Sequence, residues 1–258
     1  MFYSKIPLGS VVDVGCGSGQ FTRSLAKHFD DVIGVDISEA QISSARRLQH
    51  LNTTYVNAFY KALIAKIKRL KLIFSRVGSG EAIPVPAEST ALVTCATAAH
   101  YLDPNKFGSE IQRVLKPNGC VAIVCYELVS CRYNGEKVEE LEQAFEEVFM
   151  DKTTPYMDSF YHLVRTKYAD LELPFENIER DDSYTIEKDM MLSDFIGFLK
   201  STALYQLFIN ANPTKPDPAI QFQQRAREIL DVITPVHLLP VTMHFPVFLI
   251  LARKTVSK

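Results

Sequence analysis

Short apolar runs rich in β-branched residues recur through the first half of the chain, separated by longer amphipathic stretches. Such runs are typical of strands buried on both faces of a parallel sheet, and the stretches between them are typical of the helices that cover it. The runs that predict strands are residues 11–14, 32–36, 91–97 and 120–126. The pattern therefore predicts an α/β protein with a Rossmann-like, doubly wound and mostly parallel sheet of about seven strands.

Three helices are predicted in the stretches between these strands. In residues 20–29, Phe21, Leu25 and Phe29 lie at i, i+4 and i+8, so we expect this face to pack on the sheet. A capping box at Ser38 and Gln41 predicts a second helix to about residue 49. Asp103 and Pro104 predict the cap and first residue of a third, ending near residue 115 before a turn at 116–119.

The third strand has two candidates, residues 53–56 and residues 72–77, and one of them is surplus. Residues 60–71, between them, form a basic amphipathic pattern typical of a helix on a membrane surface or against a partner. Basic surface helices are common, so we favour the alternative that residues 58–72 are an insertion beside the sheet.

From residue 136 onward the pattern changes from β/α alternation to helices. These are predicted at residues 136–150, 154–171, 192–210 with a break, and 219–233. Residues 241–253 predict the last strands, one of them antiparallel, with a break at Pro246. We interpret residues 1–258 as a single domain, with a ligand-binding half to residue 127 and a helical elaboration with the final strands at 128–258.

Composition narrows the class of protein. The formal charge of −2 gives no bulk attraction to nucleic acid or to an anionic membrane. Five cysteines lack metal-site spacing and read as free thiols of a reducing compartment, so no metal is expected. No apolar run approaches the ~18 residues of a membrane span. We expect a soluble cytoplasmic protein without stable membrane association, and the sequence leaves its oligomeric state open.

The candidate chemistry begins where the first strand meets a glycine-rich turn. Gly15, Gly17 and Gly19 allow positive φ and close approach of a ligand to bare backbone at a helix N-terminus. Dinucleotide enzymes use the related G-x-G-x-x-G spacing, but Gln20 occupies the position of the third glycine here, and Asp13 precedes the first by two residues.

The D-x-G-x-G-x-G pattern of residues 13–19 resembles the class I S-adenosylmethionine-dependent methyltransferases. The resemblance implies that Asp13 lies under the methionine end of S-adenosylmethionine, and that the three glycines pass beside its nucleoside. Asp36 ends the second strand at the distance where a ribose hydroxyl partner belongs, although it could simply end the strand.

Residues 78–86 resemble the loop that meets adenine in this family. We predict contacts from Ser79, Gly80 and Glu81, although Ser79 stands where the family often has aspartate and a plain surface loop is the alternative. The resemblance adds Ile37 and Ala96 to the residues expected to bind the cofactor.

A narrower resemblance begins after the fourth strand. Ala99-His100-Tyr101 is similar to the type 11 methyltransferases nearest to the trans-aconitate and other small-acid enzymes, which commonly have tryptophan after the histidine. Residues 201–205 resemble a late segment of some members, so Tyr205 would face substrate or lie in the core. His100 is the candidate catalytic residue, as a group that orients a carboxylic acid or offsets its charge, or as a base for a hydroxyl.

These observations predict an S-adenosylmethionine-dependent methyltransferase, acting on the oxygen of a carboxylic acid or related small molecule. The glycine-rich strand begins about ten residues from Met1, whereas the resembling enzymes carry one or two helices before it. This start suggests a fragment, a splice product or a divergent member. The alternatives are therefore a catalytically silent S-adenosylmethionine-binding protein and, less favoured, an NAD(P)-dependent oxidoreductase.

Overall fold

The computed structural model of the protein describes residues 9–47, 72–157 and 161–255. The chain divides into two compact units. That they form a single domain stays a prediction. Unit 1 comprises Met1–Cys125, Asp170–Asp181 and Phe248–Lys258, and unit 2 comprises Tyr126–Ala169 and Asp182–Val247. The predicted division at residue 127 lies two residues beyond the end of the first segment of unit 1.

The described residues contain eight strands of one sheet, with the parallel part in unit 1. The strands are β1 Ser10–Val14, β2 Asp31–Asp36, β3 Leu72–Val77, β4 Thr90–Ala96, β5 Leu115–Tyr126, β6 Cys131–Arg132, β7 Ile178–Met191 and β8 Pro240–Arg253. Their order is β3-β2-β1-β4-β5-β8-β6, and β7 also pairs with β8. The four pairings from β3 to β5 are parallel, which confirms the predicted Rossmann-like fold.

Burial explains why β1 lies at the centre of unit 1. Val11, Val12 and Val14 are buried, and Val12 pairs with Ile33 of β2 and with Val93 of β4. Such β-branched side chains pack well on both faces of a parallel sheet. The third strand is Leu72–Val77, while residues 53–56 and the basic segment 60–71 lie outside the described residues.

Three helices of unit 1 follow these strands. They are α1 Gln20–Leu25, α2 Glu39–Arg47 and α3 Pro104–Val114. The predicted inward face of α1 is wrong at one position, since Phe21 is 36% exposed and Thr22 is buried in its place. The helix ends at Leu25, so Phe29 is buried from the following turn instead of from the same helical face.

The predicted turn at residues 116–119 lies inside β5 as a bulge. The register with β4 passes from Thr90 opposite Leu115 to Leu92 opposite Cys120, so β5 has three more residues than β4 over this interval and bulges out. Asn118 has φ +63, and its backbone N–H donates to Lys254 O at 3.0 Å. Asparagine tolerates this left-handed conformation better than most residues.

Unit 2 is mainly helical. Its α-helices are α4 Glu139–Phe145, α5 Tyr161–Arg165, α6 Leu192–Ser201, α7 Ala203–Ala211 and α8 Pro218–Ile229, and α4 continues through the π-helical turn Glu146–Met150, the short α-helix Asp151–Thr153 and the 3₁₀ turn Thr154–Tyr156. Phe145, Phe149, Phe195 and Phe222 are buried together at its core. The predicted break between α6 and α7 occurs at Thr202, whose hydroxyl caps α7 by accepting from the Tyr205 N–H.

Three predictions for this half are wrong. Of the predicted helix at residues 154–171, the described residues form a 3₁₀ turn at Thr154–Tyr156 and an α-helix at Tyr161–Arg165, which ends early because Lys167 and Tyr168 have positive φ. Strand β7 was not predicted, because most of its residues are exposed and polar. Finally, β8 runs through Pro246 without a break, and the Pro246 carbonyl accepts from the Glu127 N–H at 2.9 Å. The predicted antiparallel pairing is confirmed by β6 and β8.

None of the helices in residues 9–47, 72–157 or 161–255 combines the length and apolar character needed to cross a bilayer.

Candidate cofactor site

The carboxyl ends of four parallel strands, β1 to β4, meet at one edge of the sheet of unit 1. After β1 the chain turns through Gly15, Gly17 and Gly19, whose φ angles are +66°, +53° and +79°. All three are in the left-handed region that favours glycine. The turn closes when Gly19 N–H donates to Cys16 O at 2.9 Å, and α1 begins at once. This edge of an open α/β sheet is where ligands bind.

The three glycines differ in what surrounds them. A Cβ on Gly15 would lie 2.3 Å from the Cβ of Ala98, so this glycine is required for packing. Among the residues that the structure describes, a Cβ on Gly17 would meet only Gln41 Oε1, at 4.0 Å, so Gly17 faces open space in this part of the chain. Gly17 is therefore the position in the turn where a ligand has room to approach the backbone.

Asp36 holds the turn from the end of β2. One carboxylate oxygen accepts the Gly17 N–H at 2.8 Å, and the other accepts the Ser38 N–H at 2.8 Å. Each carboxylate oxygen has two lone pairs, so each can accept one further hydrogen bond. Asp36 thus both shapes the glycine turn and retains the capacity to accept two hydroxyl groups, as the sequence predicts for ribose.

Asp13 lies beneath the turn and is sealed from solvent. It is 1% exposed, and its two carboxylate oxygens accept the hydroxyls of Thr22 at 2.6 Å and Thr94 at 2.8 Å. Burial raises the pKa of Asp13 to about 6, although both threonines favour its charged form. The carboxylate therefore ties β1 to α1 and β4, and its predicted role toward a methionine moiety stays a prediction.

Two apolar side chains stand exposed beside Asp36. Ile37 is 79% exposed and Val77 is 51% exposed. The adjacent strand ends bring them near each other, since Asp36 and Val77 are register partners in β2 and β3. Covering apolar surface of this kind with a ligand is favourable, by roughly 25 cal/mol per Å² removed from water. Ile37 and Val77 are thus exposed apolar side chains at the ends of β2 and β3, next to the Asp36 carboxylate.

The loop after β3 is held by protein contacts. Gly78 N–H donates to Asp36 O at 2.9 Å, and the Ser79 hydroxyl accepts the Glu81 N–H at 3.0 Å. Gly80 is buried, and a Cβ there would lie 2.6 Å from Val14. The Glu81 carboxylate accepts the Asp103 N–H at 2.9 Å and faces Lys106 Nζ at 3.6 Å. Glu81 thus binds the start of α3 and Gly80 packs against Val14, and the contact of both residues with adenine stays a prediction.

The end of β4 carries the remaining predicted residues. Ala96 is half-buried at the strand end, and Thr97 follows with φ +53, a strained conformation for a β-branched residue. His100 lies in the 3₁₀ turn Ala99–Tyr101 and is 6% exposed. Burial lowers the pKa of His100 to about 4, so the imidazole is neutral at pH 7. A neutral ring favours the orienting role over the offset of a negative charge, and both roles of His100 stay predictions.

The geometry of this edge fits the adenosine part of S-adenosylmethionine. Open space at Gly17, acceptor capacity on Asp36 and exposed apolar surface at Ile37 and Val77 occur side by side. These features match a turn that admits a ligand, a ribose partner and a face for an aromatic base. Among the described residues, no group of three or more potential metal ligands is present.

Two sets of residues escaped sequence reasoning. Thr22 and Thr94 bind Asp13 although Thr94 is 81 residues away in the chain, and no local pattern reports such a pair. Glu110 and Arg113 of α3 bind the loop after β3, and only their i, i+3 spacing was visible in the sequence. Outside this edge, Tyr205 lies in the core of unit 2, where its hydroxyl donates to Asp217 Oδ2 at 2.8 Å.

Comparisons with known proteins agree with this geometry. The sequence model of a methyltransferase domain matches residues 12–123, which include the last three residues of β1, strands β2 to β4, helix α3 and most of β5. A "putative methyltransferase" of Dictyostelium discoideum is 29% identical over 244 residues, covering 94% of this chain and 81% of that protein. The "probable S-adenosylmethionine-dependent methyltransferase CRG1" of Saccharomyces cerevisiae is 23% identical, covering 89% of this chain and 81% of its own.

A solved structure resembles the whole chain. It is described as a "putative type II methyltransferase" from Anaeromyxobacter dehalogenans, with a TM-score of 0.70 and 23% identity over 97% of this chain and 92% of that one. At this identity the likeness bears on the fold, which is that of a methyltransferase with helices around a mostly parallel sheet.

Proposed function

We propose that this S-adenosylmethionine-dependent methyltransferase acts on a small-molecule acceptor, on the oxygen of a carboxylic acid or a related metabolite. When bound, S-adenosylmethionine would supply a sulfonium methyl group that the acceptor oxygen attacks in line, with S-adenosylhomocysteine as the leaving group. Aligning the reacting groups can contribute ~7 to 11 kcal/mol of the barrier. The protein therefore acts mainly by binding the cofactor and the acceptor and by orienting them toward each other.

The residues of the sheet edge divide this work. We assign Gly15, Gly17 and Gly19 to the turn that admits the cofactor, with Gly17 nearest to it. Asp36 accepts from the ribose hydroxyls, and Ile37 covers one face of the adenine. Further contacts are assigned to Ser79, Gly80, Glu81 and Ala96, through main chain and, for Glu81, the carboxylate. Asp13 acts from below by holding α1 and β4 through its two threonines.

The protonation state of His100 supports a carboxylate acceptor. A hydroxyl acceptor needs a base with a pKa near the working pH, whereas burial lowers the pKa of His100 to about 4. A carboxylic acid has a solution pKa near ~4 and is already ionised at pH 7. A neutral His100 can orient such an acceptor by a hydrogen bond without accepting a proton from it.

Ligand stabilisation and product formation test this function. We expect S-adenosylmethionine and S-adenosylhomocysteine to raise the melting temperature while NAD does not, since a ligand of the native state stabilises it by RT ln(1 + [L]/Kd). Labelled methyl should then pass from S-adenosylmethionine into an acid-containing metabolite extract, giving products that mild alkali hydrolyses as esters. Alkali-stable products alone would contradict the carboxylate assignment, and stabilisation by NAD alone would contradict the cofactor.

The role of His100 makes a separate prediction. We expect His100→Asn to lower the single-turnover rate by less than about tenfold and to leave S-adenosylhomocysteine affinity unchanged, because a positioning hydrogen bond is worth ~0.5 to 1.5 kcal/mol. The wild-type rate should show no titration near pH ~6.5, the ordinary histidine value. A loss of about 1000-fold, with a wild-type titration near pH ~6.5 that the variant lacks, would identify His100 as a general base.

A further inference from the structure

The loop after β3 is fastened to α3 by a closed set of hydrogen bonds. The Ile83 N–H donates to Glu110 Oε2 at 2.8 Å, and the Ile83 carbonyl accepts from Arg113 Nη2 at 2.8 Å. Arg113 Nη1 donates to the Val85 carbonyl at 3.0 Å. Both backbone groups of Ile83 are therefore bound by one helix, through two side chains a single turn apart.

Glu110 and Arg113 also bind each other. Arg113 donates from Nε to Glu110 Oε1 and from Nη2 to Glu110 Oε2, both at 2.8 Å. The hydrogen bond from Arg113 lowers the pKa of Glu110 below its ordinary value. This two-pronged pairing needs the planar guanidinium, because the ammonium of lysine cannot present two parallel donors to one carboxylate.

The anchors surround the part of the loop that is assigned to adenine. Gly78 is bound to Asp36 O on one side, and Glu81 is bound to the Asp103 N–H at the start of α3. Ile83 and Val85 follow, both buried and both bound by Arg113. Ser79 and Gly80 thus lie between Gly78, which is bound to β2, and Glu81, which is bound at the start of α3. Glu110 and Arg113 bind the loop further along the chain, at Ile83 and Val85.

We propose that Glu110 and Arg113 are positioning residues which set the recognition of adenine through the backbone of residues 78–86. The inference rests on the proposed adenine contacts at Ser79 and Gly80. Adenine and hypoxanthine differ in their hydrogen-bond donors and acceptors along one edge. Main-chain groups of the loop can distinguish the two bases only when the loop is held in a fixed position. Loosening the loop removes this distinction before it removes binding of the rest of the cofactor.

The test measures two affinities by calorimetry for each variant, for S-adenosylhomocysteine and for S-inosylhomocysteine. For Arg113→Met we expect S-adenosylhomocysteine affinity to fall by about tenfold or more, equivalent to the loss of one hydrogen bond. We expect S-inosylhomocysteine affinity to change by less than about threefold, so the preference for adenine shrinks. Arg113→Lys should lose most of the preference despite its charge, and it provides a milder variant if Arg113→Met fails to fold.

Arg225→Met is the matched control. Arg225 pairs with Glu228 at i, i+3 and 3.0 Å, but both side chains are exposed and lie in unit 2. It should leave both affinities unchanged. Equal loss of both affinities in Arg113→Met would indicate a merely structural role and overturn the proposal, as would an unchanged preference. A wild-type protein that binds S-adenosylhomocysteine without preferring it over S-inosylhomocysteine would instead contradict the assigned adenine contacts.

Discussion

Gly17→Val is expected to lower the affinity for S-adenosylmethionine by at least about 100-fold, or ~3 kcal/mol, in a protein that still folds. In the described part of the chain, and apart from its two chain neighbours, a Cβ on Gly17 comes no closer than 4.0 Å to another residue, the nearest atom being Gln41 Oε1, so there is room for a side chain. A ligand that lies against the backbone of the turn would leave no room for this side chain. The affinity is measured by calorimetry, with S-adenosylhomocysteine as a second ligand.

The conformational cost of this substitution needs its own control. Gly17 has φ +53, and a non-glycine residue in this region costs ~1 to 2 kcal/mol. Gly135 offers a matched position in unit 2, since it has φ +78 and a Cβ built there has no atom within 4 Å among the described residues other than its chain neighbours. Gly135→Val should lower the melting temperature by a similar amount and leave affinity unchanged. Equal affinity in both variants and the wild type would exclude Gly17 from the site.

Asp36→Ala is expected to weaken S-adenosylhomocysteine binding by about 100-fold or more. Two hydrogen bonds to a charged carboxylate are worth ~1.5 to 3 kcal/mol each. Part of the loss comes through the Gly17 N–H, which also loses its acceptor. The direct part can be separated by the 2′-deoxy analogue of S-adenosylhomocysteine. The wild type should bind this analogue about tenfold or more weakly than the parent, and Asp36→Ala should bind the two alike.

Asp217→Ala is the control for losing a carboxylate that binds backbone. Asp217 accepts the N–H groups of Ala219 and Ile220 at the start of α8 in unit 2. Its loss should cost ~0.5 to 2 kcal/mol of stability, as for other N-caps, with cofactor affinity unchanged. If Asp36→Ala still prefers the ribose ligand as strongly as the wild type, Asp36 shapes only the turn and does not contact ribose.

The sequence by itself determined the features that depend on neighbouring residues. The β-branched run before Gly15 predicts β1, because buried parallel strands need such side chains on both faces. Positive φ at the three glycines follows from their spacing in a turn that must open a helix. Asp103 caps α3 as predicted, since its carboxylate reaches the N–H groups of Asn105 and Lys106 two and three residues away. Each of these contacts spans a few residues, so a local pattern carries it.

The tertiary structure decided what depends on distant partners. Asp13 is a buried carboxylate between two hydroxyls only because β4 brings Thr94 beside β1. Residues 72–77 are the third strand because they pair with β2, which their apolar pattern alone could not distinguish from residues 53–56. The neutral state of His100 results from burial around the 3₁₀ turn, a property of packing. Strand β7 is held by pairing with β8, and backbone pairing leaves no periodic signal when most of its side chains face solvent.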